Sequence, residues 1–236
     1  MALANVFKVF SAMVMFWALF DQHSSSWVLQ ARDLNLQVGS LKLEASQMQV
    51  LNPLFVMLMI PVMQYILYPL VGALGVEVTP LRCMSVGMFV ASASFFFVFC
   101  IQLALDAGHR PSVLWQVPAA IMLTLSELLV SVTSLEFAYM QAPPSMKATM
   151  MSFLMLTIFA GNALDALISI VNIFEGAQYF LFYAALMLGT AVAFIWIAAS
   201  FRVQAFRSDE GTELVAAKQR QSDDEQDAKE SPTARS

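Results

Sequence analysis

An all-α, polytopic membrane protein is the fold class this sequence predicts, and three observations carry it. Apolar residues make up 59% of the 236 residues and charged ones 12%, about half the charged share of an ordinary soluble domain. The apolar residues fall into six windows, at 6–29, 50–73, 83–105, 113–139, 148–171 and 179–201. Each is near the ~20 residues that cross ~30 Å of hydrocarbon. Breakers separate them: Gly72 to Pro80, Gly108 to Pro111, Pro143-Pro144 and Gly176. Backbone polar groups in lipid must pair within their own segment, which leaves helices as the way to satisfy six such windows.

The first window follows a single Lys8 and is long, with no small-residue cleavage site, so it reads as a span and not a removed leader. Trp17, Asp21 and Ser25 recur at i, i+4 and i+8 and therefore share one helix face. The second window extends upstream, because Leu43-Glu44-Ala45-Ser46-Gln47-Met48 reads as a polar first turn or two. Pro53, Pro61 and Pro69 recur every eight residues along it. Each removes a backbone donor; a kinked, path-lining helix and a helix that merely tolerates proline both fit. Cys83 and Cys100 open and punctuate the third window as core residues, and no Cys–His spacing resembles a metal site. The fourth window carries Glu127 and Glu136, and the fifth carries Asn162 and Asp165 near its end, a pair that reads as structural. The sixth is apolar throughout, and the sixteen Met and nineteen Phe of the chain suit packing and lipid contact.

Six spans over residues 1–203 put both ends on one side. With those ends inside, Lys8, Arg82, Lys147, Arg202 and Arg207 flank the inner face, against Arg32, Lys42 and Arg110 outside. That bias favours cytoplasmic termini in the plasma (inner) membrane. Residues 204–236 read as an acidic, disordered cytoplasmic tail: Ser208 to Ser236 hold eight acidic and four basic residues, most of the chain's net −5. The acidic balance therefore says nothing for nucleic-acid binding.

Four carboxylates lie within the windows: Asp21, Glu127, Glu136 and Asp165. Beyond Lys8 at the edge of the first window, no Lys or Arg joins them. An ionised side chain at a helix centre costs about 2.5–3.5 kcal/mol to insert, so a retained one marks function by default. Asp21 is sixteen residues into its window and Glu127 fifteen into its own, which at ~1.5 Å per residue places both near the midplane, where transporters bind solutes. Thr124, Glu127, Ser131 and Ser134 share a face. Glu136, nine residues from Glu127, falls on the opposite face of an ideal helix, a rotation of ~900°. Asp21 and Glu127 are thus expected to face one aqueous cavity, and each either keeps a proton or meets a cation from elsewhere.

Five stretches in register over about residues 6–202 resemble the proton-dependent oligopeptide transporter family of the major facilitator superfamily, in its C-terminal six-helix half. They are Phe16-Trp17-Ala18-Leu19-Phe20-Asp21-Gln22 with Ser24-Ser25-Ser26-Trp27; Leu51-Asn52-Pro53-Leu54-Phe55; Thr79-Pro80-Leu81-Arg82 with Met84 and Gly87; the run from Ser126 to Pro143; and Ser145-Met146-Lys147 with Met150-Met151 and Leu156-Thr157. The resemblance implies that Glu127 receives the α-amino group of a di- or tripeptide, and that Asn52 bonds the peptide backbone. It implies an aromatic wall at Trp17 and a proton-coupling, gating acid at Asp21, with H+ as the coupling ion and no cofactor. Leu154 stands where many members have tryptophan, and Ser134 where glycine is common. The family's E-x-x-E-R signature occurs nowhere in these 236 residues.

The expectation is therefore the acidic half of a proton–peptide symporter, inactive without a complementary N-terminal six-helix half. The alternative is a non-transporting membrane scaffold or truncated product that keeps the bundle. A homodimer would gather Asp21 and Glu127 from two copies with no cation, which like-charge repulsion opposes. No nucleophile–base set, phosphate loop or metal spacing suggests an enzyme.

Overall fold

The computed structural model describes residues 2–73, 75, 78–142, 146–171 and 176–200, with side chains from Lys8 onward except at 171. The tail expected over 204–236, Pro143-Pro144, Ser145, Arg202 and Arg207 lie outside the described residues. The first window forms two helices in tandem, α1 (Ala2–Phe20) and α2 (Gln22–Asp33). Between them Asp21 keeps near-helical angles, φ −65° and ψ −16°, and its N–H reaches Trp17 O at 3.2 Å. Its side chain does not cap α2. The span is one rod with a tightened turn at Asp21.

A short hairpin follows, β1 (Gln37–Val38) with β2 (Leu41–Lys42), paired antiparallel. Gly39 opens its two-residue turn at φ 62°, the left-handed conformation such turns need and glycine supplies freely. Asn35 N–H bonds Pro111 O at 2.9 Å and Val113 N–H bonds Asn35 O at 2.9 Å, which ties this loop to the start of the fourth span. Ala31, Leu34, Ala45, Ile101 and Val113 form a small apolar core beneath it. The hairpin has no counterpart in the sequence reading, yet four strand residues leave the class all-α.

The second span starts with the 3-10 turn Ala45–Val50, whose Glu44 N–H bonds Gln47 Oε1 at 3.0 Å in a capping box. It continues as α3 (Leu51–Val62), a π-helical turn (Met63–Leu67) and α4 (Tyr68–Ala73). The wide turn lies between Pro61 and Pro69, and Tyr68 N–H reaches back to Met63 O. A proline ring crowds the carbonyl four residues before it, and the extra residue in the turn relieves that crowding. Then come α5 (Pro80–Asp106), the 3-10 turn Val113–Trp115, α6 (Gln116–Glu127), a second π-helical turn (Leu128–Val132), α7 (Thr133–Gln141), α8 (Lys147–Val171) and α9 (Ala177–Ser200). Asp106 Oδ2 accepts from Ala177 N–H at 2.9 Å, so the end of α5 places an anion on the positive N-terminus of α9. Among the described residues five helices are long and apolar enough to cross a membrane: Ala45–Ala73, Pro80–Asp106, Val113–Gln141, Lys147–Ile170 and Ala177–Ser200. The α1–α2 rod supplies the sixth.

Packing centres on α5 with α9 and α6, and on α1 with α8 and α9. Phe16, Phe95, Tyr183 and Phe194 are fully buried with Met13, Met84, Met88 and Met187, where flexible thioethers fill gaps between rings. Two glycines permit the closest approaches. A Cβ at Gly87 would come within 2.7 Å of Val130 Cγ2, and one at Gly161 within 2.6 Å of Trp17 Cβ and 2.8 Å of Val14 O. The second and fifth spans are different. Only 6% and 17% of their most apolar stretches are buried, against 50% for the fourth. Met57, Tyr65, Phe159 and Ile170 stand outward from them.

At Gly161 the obstacle is backbone of α1, which cannot swing aside as a long side chain can. Gly161→Ala should force α8 away from α1 and destabilise the bundle by about 1–3 kcal/mol. Thermal unfolding in detergent measures this, with Gly189→Ala, which meets nothing within 4 Å, as the neutral control.

Candidate functional site: two amide–carboxylate clusters

Glu127 ends α6 immediately before the second π-helical turn. Asn52, in the first turn of α3, donates from Nδ2 to Glu127 Oε2 at 3.1 Å. Its Oδ1 accepts from Thr124 Oγ1 at 2.7 Å, and that hydroxyl also lies 2.9 Å from Ala120 O. The amide is therefore held at both ends: its oxygen faces a hydroxyl and its nitrogen a carboxylate, so the orientation follows from the partners. Glu127 Oε1 makes no hydrogen bond among the described residues. Beside this cluster is a cavity of about 30 Å³ lined by His23, Trp27, Gln49, Asn52, Gln116 and Leu123, large enough for a water. His23 Nδ1 donates to Phe20 O at 2.7 Å, which turns Nε2 toward Ser24 Oγ at 3.3 Å. The ring lies within electrostatic reach of Glu127.

The second cluster forms around Gln22, which is 0% exposed. Its Nε2 donates to Asp165 Oδ1 on α8. Its Oε1 accepts from Tyr179 Oη at 2.5 Å and Ser26 Oγ at 2.9 Å. Tyr179 Oη lies 3.4 Å from Tyr183 Oη, so the group joins α2, α8 and α9. Asp21 is within electrostatic reach of Asp165. A chain of amides closes the same end of the bundle: Gln116 Nε2 donates to Gln30 Oε1 at 2.8 Å, Gln30 Nε2 to Gln102 Oε1 at 2.8 Å, and Gln102 Nε2 to Asp106 Oδ1 at 3.0 Å.

The residues singled out in the sequence separate into these two groups. Asn52, Thr124 and Glu127 come together. Asp21 interacts with Asp165, and no hydrogen bond links it to Glu127; its tightened turn departs from the ideal periodicity behind the expected shared face. Trp17 is half-buried between the rings of Phe16 and Phe20, with its Cβ against Gly161. It lies at the α1–α8 contact and makes no hydrogen bond to Asn52 or Glu127. Glu136 is exposed and lies within electrostatic reach of Tyr68 and Cys83. The intervening π-helical turn changes the rotation that an ideal helix would give. Leu154 is buried at 2% exposure in the main core, and Ser134 Oγ bonds Ser131 O at 2.8 Å.

Missed in the sequence were Gln22, Gln30, Gln116 and His23. A buried amide in lipid raises the same need for partners as a carboxylate, so a search of the windows for Gln and His beside Asp and Glu finds Gln22, His23 and Gln116, with Gln30 one residue past the first window. The cations expected from elsewhere also have local substitutes: an amide N–H meets each of Glu127 and Asp165.

The Asn52–Thr124 bond predicts a coupling. Asn52→Leu and Thr124→Val should each destabilise the bundle, and the double variant should lose less than the sum by about 1 kcal/mol. Unfolding of all four proteins in detergent closes the cycle, and additive losses would refute the bond.

Residues 1–179 match the family model described as PTR2, POT family. Solute carrier family 15 member 1 of Mus musculus is 37% identical over 102 residues, 43% of this chain and 14% of that protein. Solute carrier family 15 member 2 of Homo sapiens is 39% identical over 105 residues, 44% of this chain and 14% of that protein. The crystal structure of an auto-inhibited POT family peptide transporter superposes with a TM-score of 0.78 at 39% identity, over 87% of this chain and 42% of its own. The chain thus spans under half the length of the relatives it matches.

Proposed function

The chain belongs to the POT family, and from that premise we propose that it forms the C-terminal six-helix half of a proton-coupled di- and tripeptide symporter. The observation that carries this reading is the Asn52–Glu127 hydrogen bond, made between spans 75 residues apart. It leaves Glu127 Oε1 open beside an amide already fixed in direction. A peptide's α-ammonium needs an anionic acceptor in low dielectric, and Glu127 supplies it. Asn52 holds that carboxylate and lends its amide to the peptide backbone. Asp21 takes and releases the coupling proton, H+, and Trp17 walls the pocket from α1. No cofactor enters this scheme.

The complementary half covers the second and fifth spans and brings the cations that this chain lacks. Rocking of two halves about a midplane site needs both, so this polypeptide by itself binds weakly and does not transport. In this arrangement both termini are cytoplasmic in the plasma (inner) membrane, and the β1–β2 hairpin is outside. A scaffold that keeps the bundle without transporting is the rival reading, and it requires no peptide to discriminate at Glu127.

With the complementary half present, Glu127→Gln should weaken binding of free-amine dipeptides about tenfold or more, the loss of one charge-assisted bond. N-acetylated dipeptides should change little. Equal responses of both peptides sink the role of Glu127, and no binding by wild type favours the scaffold.

Topology has its own check. Ser40, exposed in the hairpin turn, should react as Ser40→Cys with a membrane-impermeant maleimide added outside intact cells, in a Cys100→Ser background. Labelling only after the membrane is opened would invert the orientation.

A further inference from the structure

A cleft of about 520 Å³ opens at the hairpin end of the bundle, apart from the Asn52–Glu127 cluster, with Ser25, Ser26, Gln102 and Tyr179 among its polar walls. Peptide recognition gives it no role. Behind its wall is the buried Gln22 amide: Ser26 and Tyr179 both line the cleft and both bond Gln22 Oε1. With the oxygen engaged by hydroxyls, the amide must present its N–H to Asp165, because a flipped amide would set oxygen against carboxylate. The groups facing Asp165 are Gln22 from α2, Asp21 from the turn before it, and Tyr179 and Tyr183 from α9. Among the described residues no Lys, Arg or His forms an ion pair with it.

We propose that Asp165 is a second proton-holding carboxylate of the transport cycle, reached from the hairpin side through this cleft and tied to the α1–α2 turn by Gln22. This rests on the reading of Asp21 as the coupling acid. The step is a simple protonation: a hydronium ion from water in the cleft gives its proton to the carboxylate, leaving water, and no other covalent bond changes. Ionised Asp165 is a strong acceptor for the Gln22 N–H, and the protonated acid is a weaker one. Loading the proton therefore loosens the link between α8 and the turn that carries Asp21. Asp21 lies within electrostatic reach of Asp165, and like charges repel. Asp165 thus acts on Asp21 and on the α1–α8 contact, without touching peptide.

Infrared difference spectra of the full chain in lipid vesicles, taken between alkaline and acid pH, test this without any peptide. Acidification should produce a protonated-carboxyl carbonyl band, of which one component should be lost in Asp165→Asn and shift in Gln22→Leu, with the helical amide band unchanged as the check on folding. Asp165→Asn keeps an acceptor for Gln22, so it removes the proton site and spares the contact. In the assembled transporter the same variant should cut proton-driven accumulation at least about tenfold, leave peptide exchange within about twofold, and be rescued by Asp165→Glu. An unchanged band in Asp165→Asn overturns the proposal whatever the transport result. So does a loss of exchange and accumulation together that Asp165→Glu does not restore. A wild-type protein that shows the band but binds no peptide sinks the symporter reading and leaves the second carboxylate standing.

Discussion

Most buried polar side chains among the apolar spans find a hydrogen-bond partner inside the protein, with Trp17 Nε1, Trp27 Nε1 and Ser126 Oγ as exceptions, and the carboxylate clusters are organised around how that need is met. Water is absent from the hydrocarbon layer, and an orphaned polar group there costs several kcal/mol. Two carboxylates are each met by a primary amide, Glu127 by Asn52 and Asp165 by Gln22. An amide donates without adding charge, so the acid keeps its freedom to gain or lose a proton. A lysine partner would have locked it ionised. Each amide is in turn oriented by hydroxyls, Thr124 on one side and Tyr179 with Ser26 on the other. The polar groups therefore add to the apolar contacts between spans, as for the second span, which meets α6 and, through its first 3-10 turn, α2.

Helix irregularity falls at the same places. The turn at Asp21 is tightened, and π-helical turns follow Glu127 and lie between Pro61 and Pro69. A wide turn frees backbone groups and rotates what lies beyond it, so the residues before and after it can address different neighbours. Glu127, before the turn, meets Asn52, while Glu136, beyond it, lies within electrostatic reach of Tyr68 and Cys83. By contrast α5 and α9 are unbroken, pack tightly on each other, and carry the largest buried rings. The bundle thus combines unbroken helices with jointed spans, and each carboxylate cluster includes at least one jointed span.

Much of this was legible in the sequence. The six windows, the breakers between them, and the same-face placement of Thr124 and Glu127 follow from length, composition and a 3.6-residue period. The partners were not. Asn52 was named only through family resemblance, and Gln22 was read as part of a motif without a role, because no rule of spacing within one helix tells which residue of another helix will face it. The hairpin at residues 37–42 was missed because two-residue strands have no periodicity to detect. Nothing in Leu128-Leu129-Val130-Ser131-Val132 announces the π-helical turn that separates Glu127 from Glu136. Met and Phe counts, read as packing material, match the rings and thioethers of the core.

What covers the second and fifth spans is the remaining question, and charge narrows the answer. Lipid alone would satisfy Met57, Tyr65 and Ile170 but would leave Glu127 Oε1 without a partner at the foot of an apolar face. A second copy would add another Glu127 and another Asp165 with no cation to meet them, and like charges in low dielectric repel more than packing there returns. The proposed six-helix partner with its own basic residues would meet both demands in one contact, because it would hide the apolar faces and supply the missing sign of charge. Under that proposal the pairing of the acids with amides and not lysines has a physical reason: a counter-charge arriving from across an interface could be gained and lost, whereas one built into the same bundle could not.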